Sequence, residues 1–177
     1  YNAREVAPED AERFPTIYAK HEGAVAVPTA GLHMSKQLMK RFEIKGIDTA
    51  YLTLHIGLGT FREVEVEDLT KHKVDSEQLI IPEDCVETVN RSINRGGKVV
   101  AVGTSVVRAM ESTHSTMRQL KTYDGWTSRF IFPPYKFKLA DALVTNFHTP
   151  QSTLLMLTSA FGGYDLIMEA YQTAIKE

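Results

Sequence analysis

The chain has 177 residues, 43% of them hydrophobic and 24% charged, with a formal net charge of −2; this is the composition of one soluble globular domain with a sizeable core. No apolar run reaches the roughly 20 residues that cross a bilayer, and the start carries no secretory signal, so a membrane location is not expected. The charge gives no global basic field for nucleic acid, although a local patch can suffice.

The single cysteine, Cys85, excludes an intramolecular disulfide and fits a reducing cytoplasm. It reads as a small buried or half-buried helix residue rather than a nucleophile, since no histidine sits nearby in sequence. The first residue is Tyr1, so the chain reads as a piece of something longer.

In chain order, the stretch to about Glu12 is polar and reads as a surface connection. Ala24 to Val27 is a short apolar run ended by Pro28 and is expected as a buried strand. Ser35 caps a predicted helix with Leu38, Met39 and Phe42 inward, stopped by Gly46. Thr49 to Ile56 is the next predicted strand, ended by Gly57-Leu-Gly59. Glu63 to Glu67 alternates charged and apolar residues, as a short strand or extended loop would. Lys71 to Gln78 reads as a polar loop, with a helix as the alternative.

Pro82 begins a helix with Val86, Val89 and Ile93 on one stripe, closed by Gly96-Gly97. Lys98 to Val102 is a compact strand, followed by a helix capped near Thr104 or Ser105. Ser112 to Gly125 is a surface excursion, and Ser128 to Phe132 a strand broken by Pro133-Pro134. Leu143 to Asn146 is a short strand. Thr149-Pro150 carries the signature of a helix start, with Leu154, Leu155 and Leu157 inward and an end at Gly162-Gly163. Asp165 caps a last helix with Leu166, Ile167, Ala170, Tyr171 and Ala174 inward. The alternation predicts an α/β domain, a layered mixed sheet flanked by helices.

Four polar segments each follow an apolar run: Pro28-Thr-Ala-Gly-Leu-His33, Leu54-His-Ile-Gly-Leu-Gly-Thr-Phe61, Val102-Gly-Thr-Ser-Val-Val-Arg108 and Thr145-Asn-Phe-His-Thr-Pro-Gln-Ser-Thr153. In an open α/β sheet the strand ends are where ligands bind. Gly103 lets backbone approach a ligand, with Thr104 and Ser105 as hydroxyl donors; plain helix capping explains the same pair. Gly57 and Gly59 suit backbone wrapped against a flat ligand, with Phe61 stacking on a base or packed in the core. His33, His55 and His148 stand near strand ends as acid/base candidates or structural hydrogen-bonders. Their spacing does not match a metal site. Arg108 can reach a phosphate or carboxylate, or be a solvated charge.

In this order and spacing the segments resemble the S-adenosylmethionine:tRNA ribosyltransferase-isomerases of queuosine biosynthesis. The likeness also takes in Arg13-Phe-Pro-Thr-Ile-Tyr18, Phe130-Ile-Phe-Pro-Pro-Tyr135, Ser152-Thr-Leu-Leu-Met156 and Ala160-Phe-Gly-Gly163. It implies the larger domain of a two-domain enzyme whose small β-barrel domain is not in this chain. It also implies transfer and isomerisation of the ribosyl part of S-adenosylmethionine onto 7-aminomethyl-7-deazaguanine at the tRNA wobble position. Adenine and methionine would leave, and no metal, membrane or obligate protein partner is implied.

On that likeness His33, His55 and His148 are the catalytic candidates. Thr29, Gly31, Gly57, Gly59, Thr60, Phe61, Gly103, Thr104, Ser105, Arg108, Thr145, Asn146, Ser152 and Thr153 would bind substrate, and His72 and Glu77 would touch tRNA. The chain departs from the family pattern at Asp75, where a histidine is usual, and at Pro134, where glycine is usual. Two other readings use the same residues: a non-catalytic RNA-binding domain, and a different α/β enzyme acting on a nucleotide or sugar phosphate.

Overall fold

The computed structural model describes residue 7 and residues 9–177. The opening stretch expected as a surface connection lies mostly outside them; its end forms one helical turn, α1 (Asp10–Arg13). A 3-10 turn, Thr29–His33, leads to α2 (Lys36–Ile44). The predicted cap of α2 is present, with Ser35 Oγ accepting from the Leu38 N–H at 3.2 Å, and Gly46 leaves the helix at φ +68°.

The expected single sheet is instead divided in two. Strands β1 (Thr53–Leu54), β2 (Glu77–Ile81) and β4 (Tyr123–Thr127) form an antiparallel sheet in the order β1-β2-β4. Thr53 faces Ile80, and Glu77 faces Thr127. Strands β3 (Val100–Val102) and β5 (Ala142–Val144) form a separate parallel pair, Val100 beside Ala142. Between β2 and β3 runs α3 (Glu83–Asn94), started by Pro82 as predicted. Helix α4 (Thr104–Thr113) packs against strands of both sheets.

Two apolar clusters result. One joins Leu79, Ile81, Cys85, Ala109, Met110, Leu120 and Leu139, with Val86, Val89 and Ile93 of α3 against it. The other joins Ala101, Val107, Ile131 and Leu157. Helix α4 feeds both, through Ala109 and Met110 on one side and Val107 on the other. Burying each large aliphatic side chain here contributes roughly 1.5–3 kcal/mol. Burial pushes the Cys85 thiol up to about 11, with Asp84 adding to the effect, so the sulfur is an inert core atom.

Several expected elements move. Ala24 to Val27 is not a strand: Val25 is 58% exposed and makes one backbone bond, to Ile56 O at 2.9 Å. Thr49 to Ile56 contracts to the two residues of β1. The polar loop expected up to Gln78 ends in β2, and the expected excursion to Gly125 ends in β4. Ser128 to Phe132 is irregular; the strand of this region is β4, which ends at Thr127 and pairs with β2.

Helix α5 (Thr153–Gly162) starts later than Thr149-Pro150 implies, because Gln151 turns the chain at φ +54° and Ser152 Oγ accepts from the Leu155 N–H. Helix α6 (Tyr164–Lys176) is capped by Gly163, not Asp165. Ile167 and Tyr171 are half-buried, whereas Leu166, Ala170 and Ala174 are exposed.

Candidate functional site

The four segments are tied together by specific bonds. The centre is a buried carboxylate, Glu77, which is 2% exposed at the start of β2. Its Oε1 accepts from the Gly57 N–H at 2.9 Å and from the Thr60 hydroxyl at 2.6 Å. Its Oε2 accepts from Nη2 of Arg108, and Arg108 Nη1 reaches Thr60 Oγ1 at 3.4 Å. One acid thus joins the Gly57–Phe61 turn to the first turns of α4. Burial pulls the Arg108 guanidinium below its ordinary value, opposed by Glu77. The solvated helix-face charge considered for Arg108 is not what the fold builds.

Segment 102–108 meets segment 145–153 through the parallel strand pair, with the Gly103 N–H donating to Val144 O at 2.8 Å. Gly103 sits at φ +102°, a backbone angle that side chains resist. It caps α4 with no side-chain bond, so the hydroxyls of Thr104 and Ser105 do not serve as its cap. The extended chain after Phe61 joins the same segment, Val64 N–H donating to Gln151 O at 2.8 Å. The Thr29 hydroxyl, from the 3-10 turn, donates to Asn146 Oδ1 at 2.9 Å. Gly31 is buried where a Cβ would strike the Tyr18 hydroxyl.

The three histidines differ. His148 is half-buried, its Nε2 lies 3.0 Å from Thr145 Oγ1, and its N–H donates to the Tyr171 hydroxyl at 2.7 Å. Burial lowers its pKa, leaving a neutral imidazole at neutral pH. The half-buried His55 ring lies against Gly23, where a Cβ would come within 2.7 Å of Nδ1. His33 is exposed at the end of its turn. Ser152 is committed to capping α5, and Phe61 is half-buried.

Of the two expected tRNA contacts, Glu77 is enclosed and held by groups of this chain. His72 is half-buried, its ring 5.1 Å from that of Phe130, which in turn packs on Phe132. An open groove of about 630 Å³ lies elsewhere, between α2, the Ile17–Tyr18 stretch and the chain that follows α2, lined by Tyr18, Lys36, Lys40 and Tyr51 among others. Among the described residues no group of three or more His, Cys, Asp or Glu stands together as metal ligands, and no helix is long and apolar enough to cross a membrane.

Sequence reasoning passed over Glu111, which is 1% exposed and accepts from the Tyr135 hydroxyl and the Lys138 and Leu139 N–H groups. Its signal is the i, i+3 spacing from Arg108, which puts both charges on the inward side of α4.

A family model described as "Queuosine biosynthesis protein" matches residues 1–177. A Bacteroides fragilis protein, S-adenosylmethionine:tRNA ribosyltransferase-isomerase, is 63% identical over 174 residues, which is 98% of this chain and 49% of that protein. The protein of the same name from Flavobacterium psychrophilum is 62% identical over 177 residues, covering 100% of this chain and 51% of its own. The solved S-adenosylmethionine tRNA ribosyltransferase of Thermotoga maritima superposes with a TM-score of 0.65 at 40% identity, over 83% of this chain and 46% of that one. The chain spans about half the length of the curated relatives it matches. It belongs to the queuosine biosynthesis protein family.

Proposed function

We propose that this chain is the larger α/β domain of an S-adenosylmethionine:tRNA ribosyltransferase-isomerase. In that reading it moves and rearranges the donor's ribosyl group onto 7-aminomethyl-7-deazaguanine at the wobble position of a tRNA, in the cytoplasm, releasing adenine and methionine. The observation that carries the reading is the bonding of these segments in two pairs, 54–61 to 102–108 through Glu77 and 28–33 to 145–153 through Asn146, with Gly103 bonded to Val144 just ahead of the second pair, in a chain 63% identical to a relative of that name.

The chemistry follows from the donor. Its sulfonium acidifies the protons on the adjacent ribose carbon, so a neutral imidazole can take one and open the rearrangement. A second group gives a proton to the departing adenine. His148, kept neutral by burial, is suited to the first task, and His55 and His33 are the other candidates. Thr29, Thr104, Ser105, Thr145 and Asn146 would hold ribose hydroxyls or the methionine end, and Phe61 would stack on a base.

The test uses the protein at the full length of its relatives, with S-adenosylmethionine and tRNA bearing the deazaguanine. Adenine should appear one-for-one with methionine and only when tRNA is present. Release of S-adenosylhomocysteine, the product of methyl transfer, contradicts the reading.

A further inference from the structure

Helices α4 and α5 bring their first residues, Thr104 and Thr153, to the wall of one small cavity of about 10 Å³, room for a single water-sized group. Arg108 and Arg129 line it too, with Val74 and Phe130 as apolar walls. Each helix has ten residues, so each N-terminus presents unpaired N–H groups and the positive end of a dipole.

An independent observation marks the cavity as built for something. Thr153 is 6% exposed, and its hydroxyl is, among the described residues, the one buried side-chain polar atom without a hydrogen-bond partner. A buried hydroxyl left unpaired costs about 1–3 kcal/mol. Ser152, its neighbour, already caps α5, so the Thr153 hydroxyl is not needed for that.

Arg129, itself exposed, is held against Tyr135. Its Nη2 donates to the Tyr135 hydroxyl at 2.9 Å, and its guanidinium lies 5.6 Å from the Tyr135 ring centre. The Tyr135 hydroxyl donates in turn to the buried Glu111 at 3.0 Å. Both arginines at the cavity are therefore tied to buried glutamates, Arg108 directly to Glu77 and Arg129 through Tyr135 to Glu111.

We propose that the cavity between the N-termini of α4 and α5 receives one oxygen of an anionic substrate group, a carboxylate or a phosphate, between the Thr153 hydroxyl and the Arg129 guanidinium. This rests on the functional reading above, which offers two sources: the methionine carboxylate of the donor and a phosphate of the tRNA. The size of the cavity admits an oxygen and excludes a whole phosphate or ring.

The experiment compares the unaltered full-length protein with Arg129→Gln and Thr153→Val. Binding of S-adenosylmethionine, of decarboxylated S-adenosylmethionine and of tRNA is measured for each, together with thermal melting. A donor carboxylate in the cavity makes both substitutions weaken S-adenosylmethionine about tenfold or more while leaving the decarboxylated donor unchanged. A tRNA phosphate there leaves both donors unchanged, weakens tRNA and lowers the salt slope of Arg129→Gln by about 1.

Thr153→Val should melt no lower than the unaltered protein, since it removes an unpaired hydroxyl; this separates a ligand role from a structural one. Unchanged binding of both donors and of tRNA by both variants overturns the proposal and leaves the functional reading standing. Failure of the unaltered protein to bind either substrate overturns that reading and this inference together.

Discussion

Glu77 and Arg108 form a pair 2% and 6% exposed, and their energetics are asymmetric. Two buried charges that meet with satisfied hydrogen bonds come close to breaking even against apolar residues, but removing one strands the other. Glu77→Ala leaves a buried guanidinium and also takes the acceptor from Gly57 and Thr60. Denaturant unfolding should show a loss of roughly 3–5 kcal/mol, and Glu77→Ala with Arg108→Met should recover part of it. A loss below about 1 kcal/mol would mean that the pair does not hold the turn to α4.

His148 gives a prediction in pH. Its folded pKa lies below the ordinary 6.5 because burial penalises the cation. The unfolded chain therefore takes up the proton first as the pH falls, so His148's contribution to stability is present above about 6.5 and is lost going down toward the folded value. With His148 as base, kcat/KM for adenine release should hold through pH 6.5 and fall only below it. His148→Ala should lower turnover by about 100-fold or more with little change in melting. An acid limb centred above 6.5, or unchanged adenine release, removes His148 from the role.

Among the elements, β2 buries three of its five residues, Glu77, Leu79 and Ile81. Leu79 and Ile81 are 0% and 1% exposed and stand between β1 and β4. Leu79→Ala should cost about 2–5 kcal/mol by equilibrium unfolding, as cavity-forming core truncations do. A cost under about 1 kcal/mol would contradict the placement of Leu79 at the centre of the larger cluster.

This strand was hidden in the sequence for a physical reason. Its inward residues are Glu77, Leu79 and Ile81, so the period of two is present but opens on a charge, and a charge reads as loop. The inward glutamate makes sense only once Arg108, 31 positions on, is seen against it. Strand β4 was hidden similarly, since Tyr123-Asp-Gly-Trp-Thr is mostly exposed and contains glycine. Helices α2 and α3 were legible because their caps and stripes are local. The site was legible as segments, through glycines and histidines after apolar runs. Its second tier was not, because Glu111, Tyr135 and Arg129 meet only through tertiary bonds.

For the molecule as a whole, two small sheets bridged by α4 bring distant segments to one place. Exposed apolar residues such as Leu58, Phe147 and Leu166, at 75%, 63% and 64%, remain on its surface. The central claim is that segments 28–33, 54–61, 102–108 and 145–153 act as one donor site. Hydrogen–deuterium exchange of the full-length protein, with and without saturating S-adenosylmethionine, tests it most directly, since ligand binding slows local opening where it occurs. The account predicts slowed exchange in all four segments together and none along the groove of Lys36 and Tyr51. Slowing in that groove alone, with the four segments unchanged, would contradict it.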